Sequence, residues 1–176
     1  MGKSLARPAP ARHDAGMHLR PATASDLPLL ELLLVAAFNW TGETRVTLEQ
    51  VRSDPDHRRH LAGWGRPSDV GTVAVAAVGE PVGAAWARVV PAEQAGYGFV
   101  AEDVPELGLG VLAPYRGRGI GAAVLDALLA QLRSAGYDAV SLSVEDGNDV
   151  ARRMYEARGF RVVGREGGSD TLLLDL

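Results

Sequence analysis

At 176 residues the chain has the length of one domain and can bury about 70% of its unfolded surface, enough for an ordinary core. It contains no cysteine, which excludes disulfides, thiolate metal sites and a cysteine nucleophile. The formal net charge of −4 argues against general nucleic-acid binding, though arginines and helix ends can still hold a small anion locally.

Residues 1–16, MGKSLARPAPARHDAG, have no apolar h-region, so they do not read as a secretory signal. Their Pro, Ala and Arg content predicts a disordered tail, with Arg7 and Arg12 as solvated charge and a single domain over 17–176. The segment from Met17 to Trp40 reads as a short strand, a turn and a helix. Ser25 or Asp26 is the expected N-cap, with Pro28 in the first turn. The longest apolar run, Leu27 to Phe38, is interrupted by Glu31 and is too short to span a bilayer. Residues 41–69 are polar and irregular, with short helices expected near Thr47–Arg52 and His57–Leu61. His57 and His60 stand three apart, poor evidence for zinc without a third ligand, and read as a solvated helix face that could edge the acceptor site. Trp40, Trp64 and Trp86 are candidates for an acceptor pocket, though large aromatics more often fill a core.

Three strands follow, VGTVAVAAV, PVGAAWARVV and PELGLGVL, the first two joined by a hairpin at Gly79-Glu80. Then comes a long helix. Ile120, Val124, Leu128 and Leu132 recur every four residues, with Leu125 and Leu129 beside them, and Gly136 ends the run. AVSLSV is a strand, NDVARRMYEAR a second helix ended by Gly159, and FRVVGRE and SDTLLLDL the last strands. The pattern is a mixed α/β sheet with helices on its faces.

The six residues Arg116 to Gly121, RGRGIG, stand directly before the long helix. A helix N-terminus presents unpaired N–H groups and about half a positive charge. Glycines at 117, 119 and 121 clear the backbone, and Arg116 and Arg118 add charge, so the stretch reads as a phosphate or pyrophosphate cradle. A P-loop is excluded, because the only lysine is Lys3. Gly117, Gly119 and Ala122 also satisfy a dinucleotide fingerprint, with Glu145 as the ribose acid. The loop, however, follows APYR rather than the strand itself, and only 31 residues remain after Glu145.

RGRGIG resembles the R/Q-x-x-G-x-G/A signature of the GNAT superfamily of acyl-CoA N-acyltransferases. GVLAPY resembles that family's fourth strand, and NDVARRMYEARGF its motif of an Asn, a helical Tyr and Gly-Phe. The strong resemblance runs from Pro105 to Gly164. It implies a GNAT-like, mostly antiparallel sheet flanked by helices, with a splayed parallel strand pair that binds acyl-CoA. It also implies an N-acetyltransferase using acetyl-CoA by direct transfer, without a metal. The backbone of Val111, Leu112 and Ala113 would bond the pantetheine arm. The amides of Arg116, Gly117, Arg118, Gly119, Ile120, Gly121 and Ala122 would hold the pyrophosphate. Asn148 would touch the pantetheine region, and Tyr155 would donate to the leaving sulfur. Glu106 is the candidate general base: alternation sets it with Gly108 and Gly110 on one face and Leu107, Leu109 and Val111 on the other. The implied partner is a small-molecule or peptide amine, with no nucleic acid or membrane, in the cytoplasm, and a homodimer left open. The alternatives are a non-catalytic acyl-CoA-binding regulatory module and a nucleotide-cofactor protein.

Overall fold

A computed structural model describes residues 16–176, and the tail expected over 1–16 lies, Gly16 apart, outside the described residues. Seven strands form one sheet: β1 His18–Pro21, β2 Val70–Val75, β3 Pro81–Arg88, β4 Glu106–Val111, β5 Ala139–Glu145, β6 Arg161–Glu166 and β7 Ser169–Asp175. Their order is β1-β2-β3-β4-β5-β7-β6, and all neighbours are antiparallel except β4 and β5. This mixed sheet rules out a doubly wound dinucleotide fold, which needs a mostly parallel one.

Five helices cover the faces: α1 Leu27–Phe38, α2 Leu48–Ser53, α3 Pro55–Arg58, α4 Ile120–Ser134 and α5 Asp149–Glu156. Strand alternation sorts the core into two layers. On one face Leu107 joins the α4 stripe of Ile120, Val124, Leu125, Leu128, Leu129 and Leu132. On the other, Leu30, Leu33 and Leu34 of α1 pack with Trp86, Val73 and Ala84. Fully buried leucines such as Leu33 and Leu128 each contribute roughly 2–3 kcal/mol by removal of apolar area from water.

The entry to α1 differs in detail from expectation. Neither Ser25 nor Asp26 caps it through a side chain. Thr23 and Asp26 instead form a capping box around a short 3-10 turn, Ala24–Asp26. Asp26 accepts from Thr23 N at 2.7 Å and takes both guanidinium nitrogens of Arg20 at 2.7 and 2.8 Å. A strand-borne arginine competes for the carboxylate, so the cap moves one turn upstream.

Trp86 and Trp64 are buried, as large aromatics usually are. Gly108 and Gly110 have a packing reason. A Cβ at Gly108 would lie 2.6 Å from the Trp86 ring, and one at Gly110 would lie 2.2 Å from the Leu33 carbonyl. The glycine-lined face of β4 is therefore closed by α1 and Trp86 rather than open to a substrate, except at Glu106.

Candidate active site

β4 is paired along its whole length with β3, and β5 along its whole length with β7. Between β4 and β5 the only bridge is Glu106 opposite Ser141, with Ser141 N–H donating to Pro105 O at 3.0 Å. Beyond that point the two strands diverge. Leu112 N–H donates to Val82 O at 2.9 Å, which fixes the alternation: even-numbered β4 residues bond β3, and odd-numbered ones face β5. Leu109 and Val111 thus direct backbone groups into the wedge. The Val111 carbonyl is taken by Arg116 Nε at 3.1 Å, leaving its N–H free. Leu112 departs from expectation, because its N–H belongs to the sheet and its carbonyl accepts from Tyr115 N at 2.9 Å.

At the mouth of the wedge the chain makes a 3-10 turn, Ala113–Tyr115, and then the glycine run. Gly117 and Gly119 have φ of +71° and +79°, a left-handed conformation that side chains disfavour, and nothing lies within 4 Å of where a Cβ would stand. From Gly117 to Ala122 no backbone N–H has an acceptor among the described residues, and the last three open α4. Six consecutive donors and the positive end of a 15-residue helix therefore face open space. The Arg116 N–H is spent on Ala113 O at 3.3 Å. Its guanidinium also differs from expectation: it donates to Ala36 O at 2.7 Å and Trp40 O at 3.3 Å, capping the C-terminal end of α1. Arg118 lies over the Tyr115 ring, 5.3 Å from its centroid, and donates to Pro114 O. It is exposed at the cradle.

Asn148 is the N-cap of α5. Its Oδ1 accepts from Ala151 N at 3.4 Å, and its Nδ2 has no partner among the described residues. Tyr155, two turns on, is buried against Phe160 with ring centroids 5.6 Å apart. Burial raises the pKa of its phenol well above the ordinary value, so the group stays a neutral donor. The hydroxyl has no protein partner among the described residues.

Glu106 lies at the closed end of the wedge. Its Oε1 accepts from Gly98 N at 3.2 Å, and a Cβ at Gly98 would collide with it. Burial pushes its carboxyl pKa up, while the nearby Arg59 charge and the Gly98 N–H hold it partly down. It lines a small cavity of about 20 Å³ together with Arg59, His60, Trp86, Arg88, Gln94 and Leu107.

Two of these neighbours, Arg59 and His60, come from 39–69, where the sequence offered His57, His60, Trp40 and Trp64 for the acceptor side. His57 and His60 are not a solvated face: both pack edge-on against Phe38, at 5.0 and 5.7 Å. Burial, with help from the nearby charges of Arg59, His57 and Arg88, drives His60 down to about 4, so it is neutral at pH 7. Arg88 is buried against Asp69 in a two-pronged pair at 3.2 Å. The segment after α1 is tied across the open end of the wedge. Trp40 Nε1 donates to Glu145 Oε2 at 2.8 Å, and Arg45 grips both Glu145 oxygens at 2.9 and 2.7 Å. Asn39 shapes this strap by accepting from Arg45 N and Val46 N and donating to Val46 O. Besides the three tryptophans, the sequence signal for this side is the stretch DPDHRRH, residues 54–60. Nothing local in it shows which residues face Glu106.

Among the described residues no helix is long and apolar enough to cross a membrane. No cluster of three or more metal-ligating side chains is found among them.

Comparison with known proteins agrees with this geometry. The model of the acetyltransferase (GNAT) family matches residues 34–160, more than half of the chain. A mycothiol acetyltransferase of Propionibacterium freudenreichii is 32% identical over 170 residues, covering 94% of this chain and 51% of that protein. One from Thermobispora bispora is 35% identical over 114 residues, covering 65% and 35%. The chain thus spans about half or less of the length of these curated relatives. Among solved structures, a GCN5-related N-acetyltransferase from Kribbella flavida superimposes with a TM-score of 0.65 at 24% identity, covering 92% of this chain and 99% of that one. PaiA N-acetyltransferase from Thermoplasma acidophilum, solved with coenzyme A, gives 0.67 at 16% identity over 92% and 99%. These two likenesses speak for the fold. By the family match, by the splayed strand pair and by the glycine cradle at the head of α4, the chain belongs to the acetyltransferase (GNAT) family.

Proposed function

We propose that the chain moves an acetyl group from acetyl-CoA to a primary amine by direct attack, with no covalent enzyme intermediate. The observation that carries this reading is the wedge between β4 and β5, which opens onto the six free amides from Gly117 to Ala122. One unpaired strand edge and one anion cradle, in line, suit an extended arm ending in a pyrophosphate. Bound acetyl-CoA supplies the activated thioester.

The protein supplies the rest. Leu109 and Val111 offer strand-like bonds, the Asn148 Nδ2 a further donor, and Gly117 to Ala122 the phosphate contacts. Arg118 adds charge to the cradle, whereas Arg116 acts by holding the loop to α1. The Val111 N–H is a donor suited to negative charge developing on the carbonyl oxygen. Tyr155, its proton held by burial, donates a hydrogen bond to the leaving sulfur as thiolate charge develops there.

Glu106 accepts the proton of the amine. A free primary amine with pKa near 10.4 is about 3.4 units from neutral at pH 7, roughly 4.6 kcal/mol. A carboxyl whose pKa is raised by burial is a better base than an ordinary one, and it covers part of that gap. The family's mycothiol acetyltransferases support a small-molecule acceptor, and the cysteine-free chain supports a reducing, cytoplasmic setting.

The test is calorimetry with acetyl-CoA, followed by thiol release across a panel of amines. Tight binding with amine-dependent thiol release is expected. Binding without release under any amine reduces the chain to a non-catalytic acyl-CoA-binding module, and stabilisation by NAD rather than acetyl-CoA overturns the assignment.

A further inference from the structure

Among the described residues, the cavity at Glu106 is lined by two arginines that differ in how firmly they are paired. Arg88 is neutralised by Asp69. Arg59 is paired less firmly. Its guanidinium is held in place by Nη1 donating to Ala95 O at 3.0 Å and by the backbone of Gly96, where a Cβ would stand 3.1–3.3 Å from the guanidinium atoms. The nearest carboxylate, Asp56, is 3.9 Å away and almost fully exposed, too far for a hydrogen bond. Arg59 Nε is buried and has no partner among the described residues. A buried, charged donor left unmatched is costly, and a site that keeps one fixed is prepared for an anion.

The second feature is the sign pattern. Arg59 and Glu106 line the same small cavity, close enough for the Arg59 charge to lower the Glu106 pKa. His60, neutral beside them, adds no charge. Trp86, Val90 and Leu107 supply the apolar wall. One cation and one carboxylate lining one small cavity match a ligand of the opposite polarity: an ammonium group with a carboxylate only a few bonds away.

We infer that the acceptor is a small primary amine bearing a carboxylate, the amine delivered to Glu106 and the carboxylate bound by Arg59. The inference rests on the acetyl-transfer reading and adds the acceptor's chemical class. Arg59 is here a specificity residue: it selects the acceptor and does not touch the transferred group.

The test uses acetyl-CoA with two pairs of amines of similar basicity: β-alanine against propylamine, and γ-aminobutyrate against butylamine. The expected result is a kcat/KM at least about 10-fold higher for the carboxylate member of each pair, as for one charge-assisted pairing. Arg59→Gln is expected to cut the carboxylate acceptors about 10-fold more than the plain amines, and Arg59→Lys to restore part of the preference, since it keeps the charge without the fork. Equal rates within each pair for the native chain overturn the inference, as does a preference that survives Arg59→Gln. Equal loss on all four amines in that variant also overturns it, by showing that Arg59 serves Glu106 or the fold. If the variants do not fold, the native preference alone decides. Acetyl-CoA that binds while all four amines go unused defeats this inference and leaves the donor site standing. Failure of acetyl-CoA to bind defeats the function itself.

Discussion

The two ends of the wedge are built by different means. The donor end, from Val111 to Ala122, is made of backbone: free amides, two left-handed glycines and a helix terminus, all within twelve consecutive residues. The acceptor end is made of side chains drawn from far apart, with Arg59, Trp86, Gln94 and Glu106 meeting around one small cavity. Backbone sites tolerate any side chain that keeps the path clear. Side-chain sites change with every substitution. The same fold can therefore keep its donor while its acceptor differs.

The largest expected effect tests where the two ends meet. Tyr155→Phe removes the hydroxyl, which has no protein partner among the described residues, and keeps the ring packed on Phe160. The expected outcome is a loss of about 10²–10⁴ in kcat, with acetyl-CoA affinity and melting temperature nearly unchanged. A drop in melting temperature with proportionate loss of all activity would make the residue a core aromatic.

Gly119→Glu breaks the donor end alone. The substitution puts a side chain at φ +79°, costing roughly 1–2 kcal/mol, and places a negative charge in the cradle. Acetyl-CoA affinity is expected to fall about 100-fold by calorimetry while the fold survives, since nothing packs against that position. Unchanged affinity in a folded variant would move the phosphate site elsewhere.

How much of this was legible follows the same division. RGRGIG exposed the donor end because glycine spacing and a helix start are local features. The two-layer core was legible too, since the four-residue repeat of α4 and the alternation of β4 are periodic. Glu106 follows from register, but the packing reason for its glycine neighbours does not, because the closeness of Leu33 and Trp86 is a long-range fact. Arg59 and His60 were visible only as part of a polar run. Nothing local distinguishes an arginine pinned by Ala95 O from a solvated one.

Glu106→Gln tests the acceptor end. The group acts as a base only when ionised, and burial raises its pKa, so activity rises with pH through a midpoint above the ordinary glutamate value. The variant is expected to lose that acid limb and to fall by about 10–100-fold at pH 7, and by less at pH 9. Stability moves the other way. A carboxyl raised on folding binds its proton more tightly in the native state. The native protein therefore loses stability as pH climbs from the unfolded value through the raised one. Glu106→Gln removes that loss, so its melting temperature at pH 7 is expected to match or exceed that of the native chain. A uniform activity loss at every pH would leave Glu106 a structural residue.

The smallest expected effect on activity comes from Arg116, which joins the two regions. Its charge suggested a phosphate ligand. Its geometry says otherwise: Nε and both terminal nitrogens are spent on the carbonyls of Val111, Trp40 and Ala36. Those bonds tie the end of β4 and the head of the glycine loop to the C-terminal end of α1, where a cation also meets the helix dipole favourably. Carbonyls left without a donor at that junction cost more than the bonds gained, so Arg116→Gln is expected to lower stability by about 1–3 kcal/mol in denaturant titrations. Acetyl-CoA affinity is expected to fall only about threefold, with its salt dependence unchanged, because the guanidinium is turned away from the cradle. A loss of 30-fold or more, with a flatter salt dependence, would show that the charge reaches the phosphates after all, and that the loop depends on side chains as the acceptor end does.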